Sequence, residues 1–101
     1  MLAGRMAETV GRRQNAAEVI PNGVLAELRK LFYDTASASS PASIAALRLT
    51  VPLNQILFGS DYPFVKAAMG IEELAHTHLS DLERRAIERE NALALIPRLR
   101  A

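Results

Sequence analysis

Apolar residues along the chain alternate between helical spacing and short unbroken runs, and each switch marks an element. Leu2, Met6, Val10 and Ala17 form a weak stripe that predicts a helix from Leu2 to about Val19. Gly4 and Gly11 weaken it, each costing about 1 kcal/mol relative to Ala inside a helix. Pro21-Asn22-Gly23 is a break. Val24, Leu25 and Leu28 then share one side of a short helix, with Glu27, Arg29 and Lys30 turned to water. From Leu31 to Thr35 the pattern becomes strand-like, with Phe32 and Asp34 on one face and Leu31 and Tyr33 on the other. After a small polar loop, Ser37 to Ser40, the Ser40-Pro41 pair opens a helix. The Ser oxygen serves as N-cap, and Pro fits the first turn. This helix, Ala42 to Thr50, is expected to bury Ile44, Leu47 and Val51 and to stop at Pro52.

Ile56 to Gly59 is a continuous apolar run, which suits a parallel strand covered on both faces. Gly59 and Pro63 bracket the turn that follows it. A loop is expected up to Gly70, then a short helix around Ile71 to Ala75. Ser80-Asp81-Leu82-Glu83 has the capping-box form, in which Ser80 accepts the Glu83 amide and Glu83 reaches back. The helix it opens should carry Leu82, Ala86 and Ile87 inward and hold Glu83, Arg84, Arg85, Glu88 and Arg89 in water. Asn91 should start a last short helix, Ala92 to Ile96, closed by Pro97. The strand, helix, strand order from Leu31 to Gly59 predicts an α/β fold with two parallel strands joined by a right-handed crossover. Asp34 and Asp61 should then lie near the same edge.

At 101 residues the chain is one small domain's worth, short of the roughly 200 residues that a complete eight-stranded barrel needs. Half of the residues are hydrophobic, which is a core-forming composition. A net charge of +1 with interspersed signs gives no nucleic-acid footprint. Without cysteine there is neither a disulfide scaffold nor a thiolate metal site. Arg5 and Glu8 interrupt any secretory apolar segment, and Arg48 and Pro52 break the stretch from Ala42 to Leu57 well short of a membrane span. A cytoplasmic protein is the expectation.

Chemistry centres on Asp61. It follows the carboxyl end of the second strand, the edge where ligands and catalytic groups collect in parallel α/β folds. A carboxylate there can act as metal ligand or general base. It can equally be a turn Asp bonding its own backbone or capping a helix. For Asp34 a structural bond to a neighbouring turn is the favoured role. His76-Thr77-His78 has His-x-His spacing, which shares one ion when both side chains leave the same face of a strand. Here the pair falls between a helical stretch and the Ser80 cap, so the two are read as surface or loop residues.

Gln55-Ile56-Leu57-Phe58-Gly59-Ser60-Asp61-Tyr62-Pro63-Phe64 resembles the last barrel strand of the amidohydrolase-related metal-dependent family, in the branch of aminocarboxymuconate-semialdehyde decarboxylase-like and salicylate decarboxylase-like enzymes. Leu31-Phe32-Tyr33-Asp34-Thr35-Ala36 resembles the preceding strand, and Leu2-Ala3-Gly4-Arg5-Met6 the helix after the sixth. Glu83-Arg84-Arg85-Ala86-Ile87 with Asn91-Ala92-Leu93 resembles the closing helices. The family often has Gly where Glu90 stands, so the kink between those helices should differ here. The resemblance covers nearly the whole chain but only the last third or so of a TIM-type (β/α)8 barrel.

It implies a hydrolase or carboxy-lyase acting on a small carboxylic or carbonyl substrate, with Asp61 both as metal ligand, usually to zinc, and as the catalytic group that exchanges a proton. The family's metal-binding histidines of earlier strands are absent from this sequence. The divalent metal therefore belongs to the complete enzyme, and the chain by itself should bind none tightly and be inactive. The alternative is a small non-catalytic α/β protein that binds a partner. No nucleic-acid or membrane partner is expected.

Overall fold

A computed structural model describes residues 20–100 together with Arg5, Glu8, Thr9 and Arg12. The chain divides into two compact units, residues 1–31 and 32–101. In the first, Arg5, Glu8 and Thr9 are helical, and most of the helix expected over Leu2 to Val19 lies outside the described residues. Gly23, at φ 85°, donates its amide to the Ile20 carbonyl at 2.9 Å and leads into α1, Val24–Leu28. That positive φ is open to glycine without steric cost. Lys30 pairs with Glu27 at 3.0 Å one turn back.

The second unit is built on two parallel strands, β1 (Tyr33–Asp34) and β2 (Ile56–Leu57), in register Tyr33 to Ile56 and Asp34 to Leu57. Both are shorter than the runs expected from sequence, and the Thr35 amide extends the ladder by one bond to the Leu57 carbonyl, 3.0 Å. Between them runs α2, Pro41–Thr50. Ser40 caps it, its Oγ accepting the Ser43 amide at 3.3 Å. Helix α2 ends ahead of Pro52, and a 3-10 turn, Leu53–Gln55, feeds β2.

Helix α3 spans Ala67–Ala75 and so begins four residues before the expected Ile71. Gly70 does not break it. It is buried inside the helix, where an added Cβ would lie 3.3 Å from the Phe58 ring. A small residue here lets helix and strand approach closely.

The chain is then helical from Asp81 to Leu95: α4 (Asp81–Arg85), a π-helical segment (Ala86–Glu90) and α5 (Asn91–Leu95). Both halves of the Ser80–Glu83 capping box are present, at 3.1 and 2.9 Å. The Ser80 amide holds the Glu83 carboxyl below its ordinary pKa, and Arg48, 2.5 Å away, lowers it further. The helix does not stop at Glu90, which closes the wider π-helical segment and passes directly into α5.

Ile44, Val51, Ile56, Leu74 and Ile87 form the core, with Tyr33, Leu47, Leu53, Phe58 and Leu79 packed against it. Leu82, expected to point inward, is 78 % exposed. It precedes the fully buried Ile87 by five residues, about 140° around a helix of 3.6 residues per turn, so the two cannot share a face. Asn91 begins α5, as expected, but with no break from the helix before it, and its side chain is buried. Its Nδ2 donates to the Leu53 and Ile56 carbonyls, both at 2.8 Å. It lies one helical repeat beyond Ile87 and ties the C-terminal helix to the entry of β2. Among the described residues no helix is long and apolar enough to cross a membrane.

Candidate functional site

The parallel register brings the carboxyl ends of β1 and β2 together, and one hydroxyl ties them. Thr35, buried after β1, donates from Oγ1 to the Gly59 carbonyl at 3.3 Å and accepts the Gly59 amide at 3.2 Å. A threonine hydroxyl can do both at once. Asp34 turns outward and accepts the Ala36 amide at 2.9 Å, the structural role expected of it. Gly59 lies so close that an added Cβ would be 3.0 Å from both Cγ and Oδ1 of Asp34.

Beyond Gly59 the chain makes a tight turn. Ser60 Oγ accepts the Tyr62 amide at 3.3 Å, and the Asp61 carbonyl accepts the Phe64 and Val65 amides at 3.0 and 3.1 Å. Asp61 has φ 64°, a left-handed conformation that Asp tolerates better than most residues, and the Tyr62–Pro63 peptide is cis. The Asp61 side chain is exposed, as are Tyr62 and Phe64 beside it.

A cleft of about 250 Å³ opens at this same edge. Thr35, Ser39, Gly59 and Ser60 line it from the strand ends, and Val65, Met69 and Glu73 from α3 and the loop before it. Ser39 is buried and donates its hydroxyl to Glu73 Oε2. Asp61 stands beside the cleft and is not part of its wall. Sequence reasoning missed Thr35, Ser39 and Glu73. The first two look like ordinary strand-end and loop residues, and Glu73 sat in the expected helix with its partner, Ser39, 34 residues away in sequence.

His76 ends α3 and His78 lies in the following loop, both exposed. The described residues bring together no group of three or more His, Cys, Asp or Glu side chains able to hold a metal. A catalytic zinc takes about three protein ligands. The described residues therefore do not fit such a site by themselves, and Asp61 offers one carboxylate.

Comparison with curated proteins finds no match, and neither does comparison with solved structures. The sequence profile of the amidohydrolase family, whose members are TIM-type barrels, matches residues 7–98. That match spans nearly the whole length, and two parallel strands with their helices agree with an α/β fragment: the chain belongs to the amidohydrolase family.

Proposed function

We propose that this chain supplies the carboxyl edge of the last two strands of a metal-dependent hydrolase or carboxy-lyase that acts on a small carboxylic or carbonyl substrate in the cytoplasm. The observation that carries this reading is the β1–β2 register, which brings Thr35 and the Ser60-Asp61 turn to one edge within an amidohydrolase match. Asp61 is the residue assigned to the chemistry. Its main-chain bonds to Phe64 and Val65 fix the turn, while its carboxylate stays in solvent, able to ligate a metal or accept a proton. The remaining ligands, zinc itself and the substrate loops come from elsewhere in the complete enzyme. Tyr62-Pro63-Phe64 favours the decarboxylase-like branch.

A second reading, a non-catalytic partner-binding protein, draws support from Tyr62 and Phe64, which are 77 % and 88 % exposed. The purified chain tests the division of labour. Metal-dependent hydrolysis and decarboxylation should both be absent, and calorimetric titration should detect no stoichiometric zinc at micromolar affinity. Such binding, abolished by Asp61→Ala, would mean that this chain carries a complete ligand set and that the reading is wrong.

A further inference from the structure

The cleft beside the Asp61 turn has a hydroxyl-rich wall and an apolar one. Of its five hydroxyls, on Thr35, Ser37, Ser39, Ser40 and Ser60, three have their proton committed within the protein. Thr35 donates to the Gly59 carbonyl, Ser39 to Glu73 and Ser40 to Ser43 Oγ. Ser60 already accepts the Tyr62 amide and keeps lone-pair capacity. Glu73 uses Oε2 for Ser39, and among the described residues no Lys or Arg pairs with it. The wall thus presents one negative charge and several oxygen acceptors, with the Ser37 and Ser60 hydroxyls as its remaining donors. Val65, Met69 and Gly70 supply an apolar side.

An anionic group placed here would be repelled by the Glu73 carboxylate, and the Ser37 and Ser60 hydroxyls would replace only part of its hydration. A primary ammonium has three donors, no acceptor and the complementary charge. We propose that this cleft binds a primary ammonium group on a short aliphatic stem, with Glu73 Oε1 as its counter-charge, the Ser39 and Ser60 oxygens as further acceptors, and the stem against Val65 and Met69. The site needs no metal and goes beyond the role given to Asp61.

Amide-resolved NMR titration of the full chain, without metal and at constant ionic strength, tests it with three probes of one stem length: butylammonium, butanol and butyrate. Only butylammonium should produce saturable shifts at Ser39, Gly59, Ser60 and Gly70. Glu73→Gln, which keeps an oxygen for the Ser39 bond, should weaken it about tenfold, the size of one charge-assisted hydrogen bond. No saturable response to butylammonium, an equal response to butanol or butyrate, or undiminished affinity in Glu73→Gln would each overturn the proposal. The wild-type comparison of probes stands even if the variant fails to fold. Because metal is absent, failure here leaves the Asp61 reading standing, and failure of that reading leaves this one standing.

Discussion

Asn91→Ala should destabilise the protein by about 1.5–3.5 kcal/mol, although Asn91 touches no chemistry. Two 2.8 Å bonds are lost, and their acceptors differ in what happens next. The Ile56 bond is buried, so its carbonyl is left without water and carries most of the 1–3 kcal/mol expected, roughly, for an unsatisfied group. The Leu53 carbonyl is only partly buried and still accepts the Ile56 amide, so losing its Asn91 bond costs about 1 kcal/mol at most. Alanine's better helix propensity returns about half a kcal/mol at most. Asn91→Asp is the sharper variant. It keeps the shape but turns an acceptor toward two carbonyls, so at neutral pH it should cost at least as much as the alanine. Urea denaturation followed by circular dichroism would give both values from midpoints at unchanged slope. An Asn91→Ala loss below about 0.5 kcal/mol, the range of indifferent surface changes, would refute the reasoning. So would an Asn91→Asp variant more stable than the alanine one.

Gly59→Ala should cost about 1–3 kcal/mol, because its methyl meets Asp34 Cγ and Oδ1 at 3.0 Å and must displace a side chain that holds the Ala36 amide. Combining it with Asp34→Ala should recover only part of the loss, since Asp34 Cβ at 3.1 Å remains; full additivity in the double-mutant cycle would count against the contact. Glu83 gives a pH signature. Its carboxyl is lowered from an ordinary value of 4.5, so its contribution is complete above that value and is lost as pH falls through the lowered one. The stability difference between wild type and Glu83→Gln should therefore be flat at neutral pH and shrink below about 4.5; a difference that grows with acid would reverse the sign assigned here.

The elements most legible in the sequence were those written in local chemistry. Ser40-Pro41 and Ser80 with Glu83 mark helix starts that the structure reproduces, because a cap is satisfied within four residues. The apolar run at Ile56 and the crossover length sufficed for a parallel pair. Features set by contacts distant in sequence were not legible. Gly70 reads as a break until Phe58 is seen against it. Asn91 reads as a plain helix start until the Leu53 and Ile56 carbonyls are placed beside it. Leu82 was misassigned through helical phase alone, since five residues separate it from Ile87. At the site, Asp61 could be located at the strand's carboxyl edge from its neighbours in the chain. The cleft beside it could not, because Ser39 and Glu73 are 34 residues apart and meet only through the packing of α3.

The most direct test of the account is a graft. Residues 7–98 of this chain, the matched segment, would replace the equivalent segment of an active amidohydrolase-family barrel, and kcat/KM would be measured with the metal present. The account predicts a folded, metal-dependent chimera in which Asp61→Ala lowers kcat/KM by about 100-fold or more, the scale of a lost acid–base group. A folded chimera that is inactive, or one that is equally active with Asp61→Ala, would contradict it.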